Sequence, residues 1–146
     1  MTDQLPSIIL VPLIALNIWT FLIETWMCAV RIPAFFKYKI PASPTLTKES
    51  MNAKLPPSVR WKVDNYNHLF EQPTQFYAIV LALAVMRGYT TLDVGLAWAY
   101  VAIRVMHSLV QCIGNWVLVR FWLFVMSSVV LMVLTGRAVV LVLGGL

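Results

Sequence analysis

Four stretches of this chain, roughly residues 7–30, 65–87, 93–114 and 119–143, are each about as long as a helix must be to cross a ~30 Å hydrocarbon core. In hydrocarbon, backbone N–H and C=O groups must be satisfied within the protein, so runs of this length and apolarity leave the α-helix as their conformation. With 60% apolar and 12% charged residues, the 146-residue chain is expected to be one membrane domain spanning residues 1–146. The predicted fold class is an all-α membrane protein, a four-transmembrane-helix bundle. Met1-Thr2-Asp3-Gln4 lacks a basic n-region and the run after it is long for a signal-peptide core, so the first span is expected to be retained. Pro12, near the start of the first span, and Pro73, inside the second, are predicted to mark kinks.

Orientation follows from the cations. Arg31, Lys37, Lys39, Lys48, Lys54, Arg60 and Lys62 follow the first span, against only Glu49 and Asp64, whereas the short second loop sets Arg87 beside Asp93. The positive-inside rule therefore puts the large loop, residues 31–64, and the third loop in the cytoplasm, with both termini outside. The net charge of +5 is thus a topology signal, and the nucleic-acid reading fails for want of a soluble basic domain. Residues 32–59 are rich in proline and read as a loop with a short helix near Lys48–Lys54. The compact, charge-free ends suit a bacterial inner membrane. Cys28 and Cys112 sit in different spans and fit packing, not a disulfide framework or metal pattern.

The few polar residues inside the spans recur at helical spacing. Arg104, His107, Ser108, Gln111 and Asn115 form one stripe, Arg60, Asp64, Asn67, Glu71 and Gln75 a second, and Asn17, Thr20, Glu24, Cys28 and Arg31 a third. An ionisable group in lipid costs at least a few kcal/mol, so the stripes are expected to face one another or an aqueous pocket, near the cytoplasmic side. Arg31, Arg104 and Arg120 suit an anionic ligand with planar carboxylates, and Glu71 or Glu24 suits an ammonium. The bland alternative is that the helix-end arginines snorkel to lipid phosphates and the tryptophans anchor at the interface. Arg104 lies too deep for that, and its expected partner is a buried carboxylate, Glu71 or Glu24. His68, His107 and Glu71 lack a tight metal-ligand spacing, so no metal is expected.

Arg31, the segment "DNYNHLFEQPTQFYA" and the run "RVMHSLVQ" with its following "VRF" resemble the family of membrane-associated proteins in eicosanoid and glutathione metabolism. The likeness spans essentially the whole chain. Arg104 and His107 resemble the arginine and histidine of the family's third helix, Arg120 the arginine that stabilises the glutathione thiolate, Arg31 the arginine closing the first helix, and Asn67 the asparagine opening the second. The resemblance implies a homotrimer binding glutathione between subunits. Arg120 and Arg31 would then be catalytic, the latter polarising the electrophile, with Asn67, Glu71, Arg104, His107 and Gln111 holding the peptide. Gln111 replaces a tyrosine of the prostaglandin-synthase members, and Glu71 lies one place beyond the usual glutamate, a rotation of about 100°. The function this predicts is a glutathione-dependent transferase or peroxidase acting on a hydrophobic electrophile from the bilayer. The alternative is a non-catalytic lipid-binding or scaffold trimer; an ion pathway fits less well, because the stripes thin toward the outer side.

Overall fold

The computed structural model describes residues 8–41 and 43–144, and the secondary structure among them is helical throughout: α1 (Leu10–Lys37), α2 (Lys48–Lys54), α3 (Pro57–His68), α4 (Gln72–Met86), α5 (Thr91–Ile113) and α6 (Val117–Gly144). Four spans, Leu10–Lys37, Pro57–Met86, Thr91–Ile113 and Val117–Gly144, are long and apolar enough to cross a membrane. The chain is an integral membrane protein.

The large loop is more helical than expected. α1 runs through Pro33 to Lys37, and α3 begins at Pro57, whose fixed φ and absent N–H suit the first helical position. Apolarity ends where charge begins, but backbone hydrogen bonding continues past that point. The short helix at Lys48–Lys54 forms as expected, and the Thr47 side chain caps it by accepting from the Ser50 N–H at 3.2 Å.

Pro12 occupies the first turn of α1, where an N–H has no intrahelical partner, so the reason for a kink there disappears. At Pro73 the expectation is met. The second span breaks between His68 and Gln72, with Glu71 at φ −86°, ψ −97° and Pro73 in the first turn of α4.

The centre of the bundle is α5, which packs on α6, α1 and α3. Half of its most apolar stretch is buried, against 17% for α6. Leu16, Phe76, Val80, Leu83, Tyr100 and Leu134 fill the space between α1, α4, α5 and α6, with the Phe76 and Tyr100 rings stacked at 4.4 Å. The antiparallel α5–α6 pair turns tightly at residues 114–116. Asn115 takes φ 49° and its N–H reaches the Val110 carbonyl at 2.8 Å. A Cβ on Gly114 would lie 2.7 Å from the Trp116 ring.

Far from that turn, Asp93 is wholly buried; it completes a capping box with Thr90 and takes Arg137 of α6 in a bidentate ion pair.

Candidate functional site

Of the three polar stripes, that of α5 faces inward, and that of α1 does so in part, with Thr20 buried, Glu24, Cys28 and Arg31 half-buried and Asn17 exposed. Arg104, His107, Ser108 and Gln111 are buried, while Asn115 lies beyond the helix in the turn. In the second span an apolar row, Val59, Val63, Leu69, Pro73, Phe76, Val80 and Leu83, takes the interior. The polar row lies one residue or so away, about 100° around the helix, so Asp64, Asn67, Glu71 and Gln75 are exposed on the single chain. Within one chain, therefore, these four residues of the second span do not face the α5 stripe. The buried polar groups of this span are Lys62 and Asn65. Lys62 caps α5 by donating to the Cys112 carbonyl at 3.0 Å and sits over the Trp26 ring. Asn65 donates to Gln111 at 3.1 Å, so Gln111 is engaged in helix packing.

Arg104 is only 1% exposed. Its Nε donates to the Tyr100 hydroxyl at 3.1 Å, Nη2 to the Gln72 carbonyl, and Nη1 to His68 Nε2 at 3.4 Å, between the rings of Tyr100 and Phe124. None of these partners is a carboxylate. The expected direct pairing with a carboxylate is absent: Glu24 lies against the Tyr66 hydroxyl, and Glu71 is held by His68 Nδ1 at 2.6 Å. His68 thus stands between Glu71 and Arg104.

Gln72 ties the bundle together. Its carbonyl also takes Ser127 at 3.2 Å, and its amide donates to Ser128 at 2.7 Å. Following one polar stripe along the second span singles out Glu71 and Gln75, omits Gln72, and weighs His68 only as a metal ligand. The signal was the proline at 73, since a helix restarting there puts its first free polar side chain at Gln72.

His68 and His107, with ring centroids 5.0 Å apart, line a cleft of about 280 Å³ together with Arg120, Val117, Phe121 and Phe124. Arg120 Nη1 donates to the Asn115 side-chain carbonyl, its Nε is buried without a partner, and Asp64 lies near enough for its charge to be felt. One cationic fork therefore meets an otherwise aromatic and aliphatic wall. His107 contributes an imidazole to the same cleft.

Arg31 lies elsewhere in the chain, over the Phe35 ring and 3.6 Å from Met51 of α2, with its Nε also buried and unpartnered. The single chain therefore brings together Arg120, His107, His68 and Arg104, leaves Asn67 and Glu71 on the outer face, and keeps Arg31 in the α1–α2–α3 cluster. No group of three or more metal-ligating side chains occurs among the described residues.

The family model for the MAPEG family matches residues 9–140. The chain belongs to the MAPEG family. No curated protein and no solved structure matches it. MAPEG proteins are membrane trimers whose members include glutathione transferases and peroxidases. Arg31, Asn67, Arg104, His107 and Arg120, the residues through which the sequence resembles MAPEG members, all fall within the matched region.

Proposed function

We propose that this MAPEG protein is a glutathione-dependent transferase or peroxidase, acting on a hydrophobic electrophile that arrives through the bilayer. The observation that carries this reading is Arg120, a guanidinium with a buried, unpartnered Nε in a cleft whose other walls are mostly apolar.

A free thiol with pKa near 8.5 is only a few per cent ionised at pH 7, and lowering that value by about two units takes about 2.7 kcal/mol. A unit charge about 4 Å away contributes about 4 kcal/mol at an effective dielectric near 20. Arg120 can therefore supply the required energy even after Asp64 offsets part of it. Bound glutathione supplies the nucleophilic sulfur. Phe121, Phe124 and Val117 exclude water from around it and offer the electrophile an apolar approach.

The donor set fits the rest of the peptide. Arg31, Arg60 and Arg120 each keep a buried Nε without a partner, a complement for anionic oxygens and sulfur, and Glu71 complements an ammonium. Arg31, Asn67 and Glu71 lie away from the cleft or on the outer face of one chain, so in this reading they meet the ligand across a homotrimer interface. That arrangement also removes Asp64, Asn67, Glu71 and Gln75 from lipid, where they are expensive. Arg31 polarises the electrophile, and Arg104 and Gln111 act from behind by fixing the helices that carry His68, His107 and Asn65. We place the whole chain in one domain, in a bacterial inner membrane, with the basic 31–64 segment in the cytoplasm and both termini outside.

The test is glutathione binding to the purified protein in mild detergent, read by thiolate absorbance in the ultraviolet at pH 7. Wild type is expected to bind with a thiolate signal, and Arg120→Ala to lose the signal while keeping part of the binding. Binding without the signal would remove activation by Arg120; no binding at all would leave the lipid-binding or scaffold trimer as the better reading.

A further inference from the structure

We propose that His68 is a positioning residue: its imidazole holds the Glu71 carboxylate apart from Arg104 and presents it to the ammonium group of the bound ligand. The inference rests on the glutathione reading above and adds a residue that reading does not use.

The tautomer of His68 follows from its neighbours. A guanidinium cannot give up its proton in a protein, so Arg104 Nη1, 3.4 Å from His68 Nε2, is the donor and Nε2 must accept. The ring proton then sits on Nδ1 and donates to Glu71 Oε2 at 2.6 Å. The ring also packs against two other rings, His107 at 5.0 Å and Phe124 at 5.8 Å between centroids. The ring thus fixes a carboxylate whose one side-chain contact among the described residues is His68. Glu71 sits in the α3–α4 break, outside helical geometry, and its side chain is 66% exposed. A side chain of that length loses about 1–2 kcal/mol of rotamer freedom when immobilised. Holding it in advance spares the ligand that cost.

The spacing matters as much as the hold. Glu71 and the buried Arg104 are of opposite charge and lie on either side of one imidazole. Without the ring they can close into a direct ion pair that satisfies both, leaving no carboxylate for a ligand. With the ring in place the two charges act separately, Arg104 binding Gln72 and Tyr100 inside the bundle while Glu71 faces outward.

The experiment compares equilibrium binding of glutathione with that of its analogue lacking the γ-glutamyl amino group, using the full chain in mild detergent. Wild type should prefer glutathione. His68→Leu, which keeps an apolar filler beside Phe124, should lose glutathione affinity by about tenfold, the scale of one charge-assisted hydrogen bond, and bind the analogue as wild type does. His68→Asn, which keeps a donor near the Nδ1 position, should restore most of the preference. Glu71→Gln, which can still accept from Nδ1 but carries no charge, should lose it, and this holds even where His68→Leu fails to fold. Equal weakening of both ligands in His68→Leu, or full preference for glutathione in Glu71→Gln, overturns the inference. Wild type that binds both ligands equally overturns it too but leaves the glutathione reading standing, whereas wild type that binds neither overturns both.

Discussion

Arg104 directs its fork to Tyr100, Gln72 and His68, so its removal takes a donor from each of three acceptors inside the bundle. In a soluble core, breaking such a buried charge network costs several kcal/mol. Interhelical hydrogen bonds in membranes average only about 0.6 kcal/mol, because the separated helices find other partners in the lipid. The membrane value governs here, and Arg104→Leu is expected to cost about 1 kcal/mol for its two interhelical bonds, to Gln72 and His68, measured by reversible unfolding in mixed micelles. Retention of full stability would place the residue in lipid or water. At Arg120 the expectation concerns chemistry instead of folding. Arg120→Lys should recover only part of the thiolate absorbance of wild type, since a point charge on a flexible stem lacks the planar fork that also engages Asn115.

Between elements, the α5–α6 hairpin is fastened at both ends by different devices. At the turn, Asn115 tolerates its left-handed φ of 49° and uses the same side chain to hold Arg120. Asn115→Ala should therefore cost about 1–2 kcal/mol in backbone strain. Asn115→Gly should leave stability within about 0.5 kcal/mol yet alter the thiolate signal, because only the carboxamide is lost. Equal behaviour of the two variants in both assays would mean that the side chain serves the turn alone. At the other end, Asp93 is wholly buried whereas the Arg137 side chain is 31% exposed. Arg137→Ala strands a carboxylate that has nowhere to go, while Asp93→Asn leaves a guanidinium that can swing to water. The former should lower the unfolding midpoint in detergent more than the latter, and the reverse order would show that the capping box, not the ion pair, is the stabilising part.

The whole molecule presents two kinds of surface within its spans. Large apolar side chains such as Val85, Leu118, Trp122 and Val140 suit lipid, but Asp64, Asn67, Glu71 and Gln75 on the second span do not. The expected resolution is a homotrimer, checked by native mass measurement in mild detergent; a stable monomer alone would leave the outward polar row unexplained and remove any site shared between subunits. Topology is checked with cysteines at Lys48 and Thr91 in a background lacking Cys28 and Cys112. Impermeant reagents should reach them from opposite faces, Lys48 from the cytoplasm.

Four spans, the α2 helix, the break near Pro73 and the tight last turn were legible in the sequence, because apolar run length, proline geometry and turn chemistry act over a few residues. The inward stripe of α5 was legible too, since its polar residues have no competing apolar face at the same angle. The second span was less legible for the opposite reason. It carries an apolar row and a polar row about 100° apart, and periodicity alone does not say which row the rest of the bundle claims. Packing against α1, α5 and α6 gave the interior to the apolar row, which sent Glu71 outward and brought in Gln72 and His68. The same choice gave Arg104 a tyrosine, a glutamine and a histidine as partners where charge counting expected a carboxylate. Sequence determines which segments enter the membrane and which residues are too polar for lipid; only the tertiary arrangement decides which polar side chains meet, because that depends on distances between helices that no spacing along one helix encodes.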